Sequence, residues 1–183
     1  MRFASMRNLD ISNGEGVGVS LFVQGCDRHC FNCFNPDTWN FNGGKEWTEE
    51  AKNKFIKLID RPYINRISVL GGEPLAEQNL DEILSLIKEI RISYPEKTIW
   101  LYTGYKFEQI KDAFIESKKW LQASWKHSAI IRWEIISNVD VLVDGEYIDE
   151  QKDLTLKWCG SRNQHVIDVK QSIAQNKMVL YCD

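Results

Sequence analysis

Apolar and polar residues change places along this chain in short blocks, and the block lengths switch between those of strands and those of helices. Residues 17–24 are β-branched and aromatic, stop at Gly25, and predict a strand. Residues 26–44 carry turn formers at Asn35-Pro36-Asp37 and Asn42-Gly43-Gly44, and predict a long loop of the kind that tends to be functional. Thr48 is placed to cap a helix to about Asp60, with Glu49 and Glu50 at its positive end. Its apolar face is Ala51, Phe55, Leu58 and Ile59. Ile67-Ser68-Val69-Leu70 predicts a buried strand ending at Gly71-Gly72. Asn79 and Glu82 have the spacing of a capping box for a helix to about Tyr94, with Leu80, Ile83, Leu84 and Ile87 inward. Residues 98–102 predict a strand stopping at Thr103-Gly104, and residues 107–120 a helix. A polar, tryptophan-bearing joint at 121–128 then leads toward another helix. Residues 139–143 predict a strand ending at Asp144-Gly145, with weaker strand signals at 165–169 and 178–181.

Strands alternating with helices imply βαβ units and a parallel sheet. A closed eight-unit barrel needs about 250 residues, so this chain has room for about four to six βα units. The expected fold is therefore α/β, an open partial (β/α) barrel in one domain spanning residues 1–183. Cys26, Gly71, Thr103 and Asp144 each fall just past or at the end of a predicted strand, so they gather on one rim. Open parallel sheets place their chemistry there.

Composition narrows the class. Hydrophobic residues make up 43% and charged residues 27%, as in a globular protein. The net charge of −3 includes no clustered basic excess, which argues against a nucleic-acid partner. No apolar run approaches the ~20 residues needed to cross a bilayer, and the first residues lack a secretory leader. A cytoplasmic protein without a membrane partner is the expectation. Thiols stay reduced in that compartment, so five cysteines point to metal or redox chemistry more than to disulfides.

Three of the five stand in Cys26-Asp27-Arg28-His29-Cys30-Phe31-Asn32-Cys33. Thiolates this close in sequence can converge on one centre from a single loop. A [4Fe–4S] cluster normally takes four, so three would leave one iron with an open position, as a catalytic metal requires. The alternative is a structural zinc with a fourth ligand from His29, His127, His165, Cys159 or Cys182. Zinc sites usually carry a matching second cysteine pair, which this sequence lacks. Cys159 and Cys182 stand alone in sequence, and isolated cysteines are commonly inert small hydrophobes. Gly71-Gly72-Glu73-Pro74 has glycines that let backbone approach a ligand and a carboxylate that can receive an ammonium group. A plain tight turn reads the same when taken alone.

The cysteine spacing resembles the signature of the radical S-adenosylmethionine superfamily. Leu21-Phe22-Val23-Gln24-Gly25-Cys26, and Cys33-Phe34-Asn35-Pro36-Asp37-Thr38-Trp39, are similar to the activating enzymes of anaerobic ribonucleoside-triphosphate reductases. Those activases commonly have a small residue where Asn32 stands and an aromatic where Phe34 stands. Gly71-Gly72-Glu73-Pro74 resembles the family motif for the methionyl part of S-adenosylmethionine. Asp140-Val141-Leu142-Val143-Asp144-Gly145-Glu146-Tyr147 and Cys159-Gly160-Ser161-Arg162-Asn163-Gln164 match two further segments, although the family usually has Arg at the place of Cys159. For Thr103, Asp144 and Asn163, capped turns explain the residues equally well.

The resemblance implies a [4Fe–4S] cluster on Cys26, Cys30 and Cys33. It also implies S-adenosylmethionine held near Asn32, Cys33, Phe34, Gly71, Gly72, Glu73, Thr103 and Asp144, with no side chain acting as acid or base. The implied reaction is reductive cleavage of S-adenosylmethionine, followed by hydrogen abstraction from a backbone glycine of a large anaerobic ribonucleotide reductase. Reduced flavodoxin is the implied electron donor. A side chain added at Gly72 is expected to block S-adenosylmethionine while the cluster still assembles. Two rival classes stay open: a radical enzyme acting on a small molecule, and a non-catalytic iron–sulfur or zinc protein.

Overall fold

The chain opens with a strand that its hydrophobic pattern does not announce. In the computed structural model, which describes residues 1–119 and 125–182, β1 (Arg2–Asp10) runs antiparallel beside β2 (Gly18–Val23). β1 lies near the edge and buries only Phe3 and Asp10, so it lacks the alternation that betrays a half-buried strand. After the long loop come β3 (Lys45–Glu46), α1 (Glu49–Ile59), β4 (Arg66–Gly71), α2 (Leu80–Ser93) and β5 (Thr98–Tyr102). They are followed by α3 (Phe107–Ser117), α4 (Lys126–Ser137), β6 (Val141–Asp144), β7 (His165–Asp168) and α5 (Val169–Gln175).

The strands form one open sheet in the order β3-β1-β2-β4-β5-β6-β7. Only the central four, β2, β4, β5 and β6, are parallel. β1, β3 and β7 are antiparallel to their neighbours, so the sheet is mixed where the sequence suggested a purely parallel one. The reason lies in the connections. β1 and β2 are joined by a short loop, and such a loop can return the chain only antiparallel.

Local signals explain most boundaries. Thr48 accepts a hydrogen bond from the Ala51 amide (3.2 Å) and caps α1 as expected. Asn79 does not form the expected capping box. Its side chain instead donates to the carbonyls of Gln24 (3.1 Å) and Glu73 (3.0 Å). α3 stops at Ser117, short of the expected 120, and the expected joint at 121–128 falls partly outside the described residues. The expected strand at 178–181 is a single bridge from Leu180 to Ile167.

The two faces of the sheet differ. Val19, Leu21, Val23, Ile67, Val69, Ile99, Leu101 and Leu142 pack with helix residues such as Phe55, Ile87 and Ile135 into one apolar core. By strand alternation the other face carries Ser20, Phe22, Arg66, Ser68, Trp100 and Tyr102. Residues 11–17 fold onto that second face. Asp10 accepts from the amides of Ser12 (2.8 Å) and Asn13 (2.9 Å), from Ser20 Oγ (2.7 Å) and from Arg66 Nη2 (3.2 Å). Arg66 is fully buried, and a Cβ on Gly14 would stand 2.7 Å from both Arg66 and Trp100. The loop therefore closes one end of this face around a buried ion pair.

Burial alone would raise the Asp10 carboxyl, but its hydrogen bonds from Ser20, Asn13 and Ser12 outweigh it and bring the pKa down to about 2. A depressed carboxylate stabilises the fold above its unfolded pKa, and that contribution is lost as pH falls through the folded value. Asp10→Asn should thus destabilise the protein by about 3 kcal/mol at neutral pH, leaving Arg66 charged and unpaired. In denaturant titrations the gap to the native chain should narrow between about pH 4 and about pH 2. A gap that stayed constant over that range would show that the Asp10 charge contributes nothing.

Candidate metal centre

Cys26 lies three residues past β2, and the chain then turns sharply twice. His29 (φ 50°) and Asn32 (φ 54°) both adopt left-handed backbone, one before Cys30 and one before Cys33. The Cys33 amide donates to the Cys30 carbonyl (3.1 Å), and the Asn35 amide donates to Cys33 Sγ (3.4 Å). The loop is anchored at both ends. The amides of Gly25 and Cys26 donate to the carbonyls of Thr38 (2.8 Å) and Trp39 (3.0 Å). All three thiols line one open cavity of about 660 Å³ at the carboxyl ends of the parallel strands.

Burial pushes the Cys26 thiol up to about 11 and raises Cys30 as well. A bound iron reverses this, because coordination removes the thiol proton outright. Among the described residues no three His, Cys, Asp or Glu side chains are grouped closely enough to hold a single metal ion. A four-iron cube takes its thiolates on separate irons and does not demand that closeness. Of the alternative zinc ligands, His29 packs at a tilt against Trp39 (4.7 Å between ring centres) and His165 Nδ1 meets Asp144 (2.9 Å). Cys182 packs with Cys159 against the Trp100 cluster. The donor set, the room beside it and the amide on Cys33 Sγ fit a [4Fe–4S] cluster with three protein ligands.

The glycine motif reaches the same cavity at the end of β4. Gly71 has φ 104°, open to glycine at little cost. The Gly72 amide donates to the Val23 carbonyl (3.0 Å) and the Glu73 amide to the Gly25 carbonyl (2.7 Å). A Cβ on Gly72 would lie 2.5 Å from the Gly25 oxygen and 3.1 Å from the Thr38 oxygen. Gly72 thus lines the cavity and also makes room for the backbone at the root of the cysteine loop, so a side chain there would crowd that backbone as well as the ligand space.

Glu73 is buried, and its carboxylate accepts from Thr103 Oγ1 (2.7 Å), the Leu75 amide (2.9 Å) and the Gly104 amide (2.8 Å). Burial still raises its pKa, against those donors and Arg28. Thr103 therefore both serves Glu73 and lines the cavity.

The other residues from the sequence divide. Phe34 lines the cavity and packs on Tyr147 (4.9 Å). Asn32 is not among the lining residues, and its side chain donates to Asp149 (2.9 Å). Asp144 is also absent from the lining and fully buried, accepting from the Phe107 amide (2.8 Å) and the His165 amide (3.2 Å). Asn163 donates to the Glu146 carbonyl (2.8 Å), and Gln164 donates to the Gly145 carbonyl (2.8 Å), so this segment braces the turn after β6.

Tyr102, Glu146 and Tyr147 also line the cavity, as does Arg28 inside the cysteine motif. Sequence reasoning singled out none of them for the site. The position of Tyr102 at the end of a predicted strand was the available signal.

A family model described as a 4Fe-4S single cluster domain matches residues 12–167. The chain is also similar to proteins named anaerobic ribonucleoside-triphosphate reductase-activating protein. The one from Salmonella typhimurium is 36% identical over 168 residues, covering 91% of this chain and 97% of that protein. Its counterpart from Escherichia coli K12 is 34% identical over the same shares. The one from Enterobacteria phage T4 is 35% identical over 91% of this chain and 93% of its own length.

Two outcomes follow from this geometry. Cys26→Ala, Cys30→Ala and Cys33→Ala should each abolish the [4Fe–4S] absorption after anaerobic reconstitution, whereas Cys159→Ala and Cys182→Ala should keep it. Loss of the cluster in either of the last two would add a ligand that the loop does not supply. Gly72→Ala should cost about 1–3 kcal/mol of stability and lower iron loading, because it overpacks backbone and not only ligand space. Normal loading and melting in that variant would put the glycine back in a purely ligand-facing role.

Proposed function

The chain belongs to the family of anaerobic ribonucleoside-triphosphate reductase-activating proteins and carries its 4Fe-4S domain, and on that premise we propose that it is a radical S-adenosylmethionine activase. The observation that carries the reading is the meeting of three cysteine thiols with the Gly71-Gly72-Glu73 turn in one cavity. When bound, the cluster supplies the electron that cleaves S-adenosylmethionine, so that a hydrogen atom is taken from a backbone glycine of the reductase.

The chain's own residues do the positioning. Cys26, Cys30 and Cys33 would hold the cluster with three thiolates, and the room beside them would take S-adenosylmethionine. The turn after β4 presents backbone carbonyls to the methionyl ammonium, with the Glu73 carboxylate holding that turn against Thr103 and Gly104. Phe34 and Tyr147 give the cavity an aromatic wall that keeps water from a reactive species. No side chain is needed as acid or base, since the step moves a hydrogen atom.

The open sheet corresponds in this reading to a partial barrel of the radical S-adenosylmethionine type, acting as one domain. Its open side admits a protein segment where a closed barrel would not. The partner is the large reductase, reduced flavodoxin is the donor, and the compartment is the cytoplasm. Among the described residues no helix is long and apolar enough to cross a membrane.

Mixing the reconstituted protein with the cognate reductase, S-adenosylmethionine and a reductant should generate a glycyl-radical signal in electron paramagnetic resonance. Without the reductase, only slow release of 5′-deoxyadenosine is expected. Rapid turnover of a small molecule with no reductase present would replace the activase reading with its small-molecule rival.

A further inference from the structure

Arg28 stands between the first two cluster cysteines, yet its side chain meets the segments after β5 and β6. Its Nη1 donates to Glu146 Oε1 (2.6 Å), two residues past β6. Its guanidinium lies 3.9 Å from the centre of the Tyr105 ring, in the loop after β5. A Cβ on Gly104 would meet Arg28 Cγ at 3.1 Å and Glu73 Oε2 at 3.3 Å, so the arginine stem and the Glu73 carboxylate past β4 both flank Gly104, and the Arg28 charge acts on that carboxylate. Tyr105 is itself held from another side by Arg132, 4.7 Å from the ring centre. Arg28 Nε is buried without a hydrogen bond, with Asp27 Oδ1 4.0 Å away, and the residue lines the cavity. Asn32 to Asp149 and Phe34 to Tyr147 add two more ties between the same loop and the segment after β6.

We propose that Arg28 is a positioning residue that registers the cluster loop against the strand ends that hold S-adenosylmethionine. The inference rests on the activase reading above but goes beyond it. The thiols fix where the loop holds iron. They do not fix where that iron stands relative to Glu73, Gly104 and Glu146. Arg28 meets the segments after β5 and β6 and flanks the same Gly104 that Glu73 holds from the end of β4. Its planar fork can bond a carboxylate and lie over a ring at once, which a lysine ammonium cannot do in the same way. Outer-shell contacts of this kind typically change metal-site affinity or activity by about 10–100-fold.

The test uses the reconstituted holoprotein and reads binding and spectroscopy besides turnover. Arg28→Ala should retain near-native iron content. Its affinity for S-adenosylmethionine, measured by anaerobic calorimetry, should fall about ten-fold. The change in the reduced cluster's electron paramagnetic resonance on adding S-adenosylmethionine should weaken in parallel. Arg28→Lys should restore only part of the affinity, since it keeps the charge opposite Glu146 and loses the fork. Glu146→Gln, which leaves the arginine stem in place, should give a smaller loss of the same kind and guards against a folding defect in the alanine variant. If the native protein binds S-adenosylmethionine and Arg28→Ala binds it equally well with an unchanged spectrum, the positioning role is wrong. If the native protein itself shows no binding, the activase reading fails instead.

Discussion

A single buried carboxylate sets the geometry at the working end of the sheet. Glu73 accepts from Thr103, Leu75 and Gly104, and so ties the turn after β4 to the loop after β5. Its own amide reaches across to Gly25 at the root of the cysteine loop, and Asn79 bonds both the Glu73 and Gln24 carbonyls. A neutral side chain of the same shape could not accept all three donors. The Leu75 and Thr103 donors share Oε1 and could keep a carbonyl there, but the Gly104 amide on Oε2 would lose its acceptor, at about 1–3 kcal/mol. The strand ends, the glycine turn and the cysteine loop are therefore one hydrogen-bonded unit.

Much of this was legible in the sequence, and the parts that were not have identifiable causes. The central strands read clearly because they are buried on both faces and rich in Val, Ile and Leu. The cysteine loop was visible from spacing alone. β1 escaped notice because a strand near the edge with mostly exposed or half-exposed residues carries no period-two signal. Asn79 shows the same limit in miniature: its spacing to Glu82 suits a cap, but its amide serves Gln24 and Glu73 from a different element. Arg28 could not be singled out, because its importance depends on Tyr105 and Glu146, which are far away in sequence. Long-range contacts leave no local pattern.

Asp144 illustrates how a motif and a role can separate. It stands where a family match placed it, at the end of β6, but its carboxylate is consumed by Phe107 and His165. Its contribution to the cavity is indirect. It holds the start of α3 and the start of β7 to the same strand end, and the neighbouring Gly145 and Glu146 then face the cavity. Asn163 and Gln164 brace that turn through the Glu146 and Gly145 carbonyls. Motif residues at strand ends can thus shape a site without touching what it binds.

The division of labour between the two faces of the sheet explains why the cavity stays open in so small a protein. The helix side holds the continuous apolar core and supplies most of the burial that drives folding. The other side could have collapsed into a second core, and at one end it does so around Trp100, Trp158 and Tyr181. Toward β1 and β4 it is filled by the Asp10–Arg66 pair and by residues 11–17, a polar floor that holds its shape through hydrogen bonds. Between that floor and the aromatic end, the cavity is bounded by strand-end turns tied through Glu73, Glu146 and Gln164, with Tyr102 Oη and Arg28 Nε left without a hydrogen bond beside it. An apolar lining throughout would favour collapse. A floor of paired charges, backbone turns and tied strand ends leaves room where the three thiols converge.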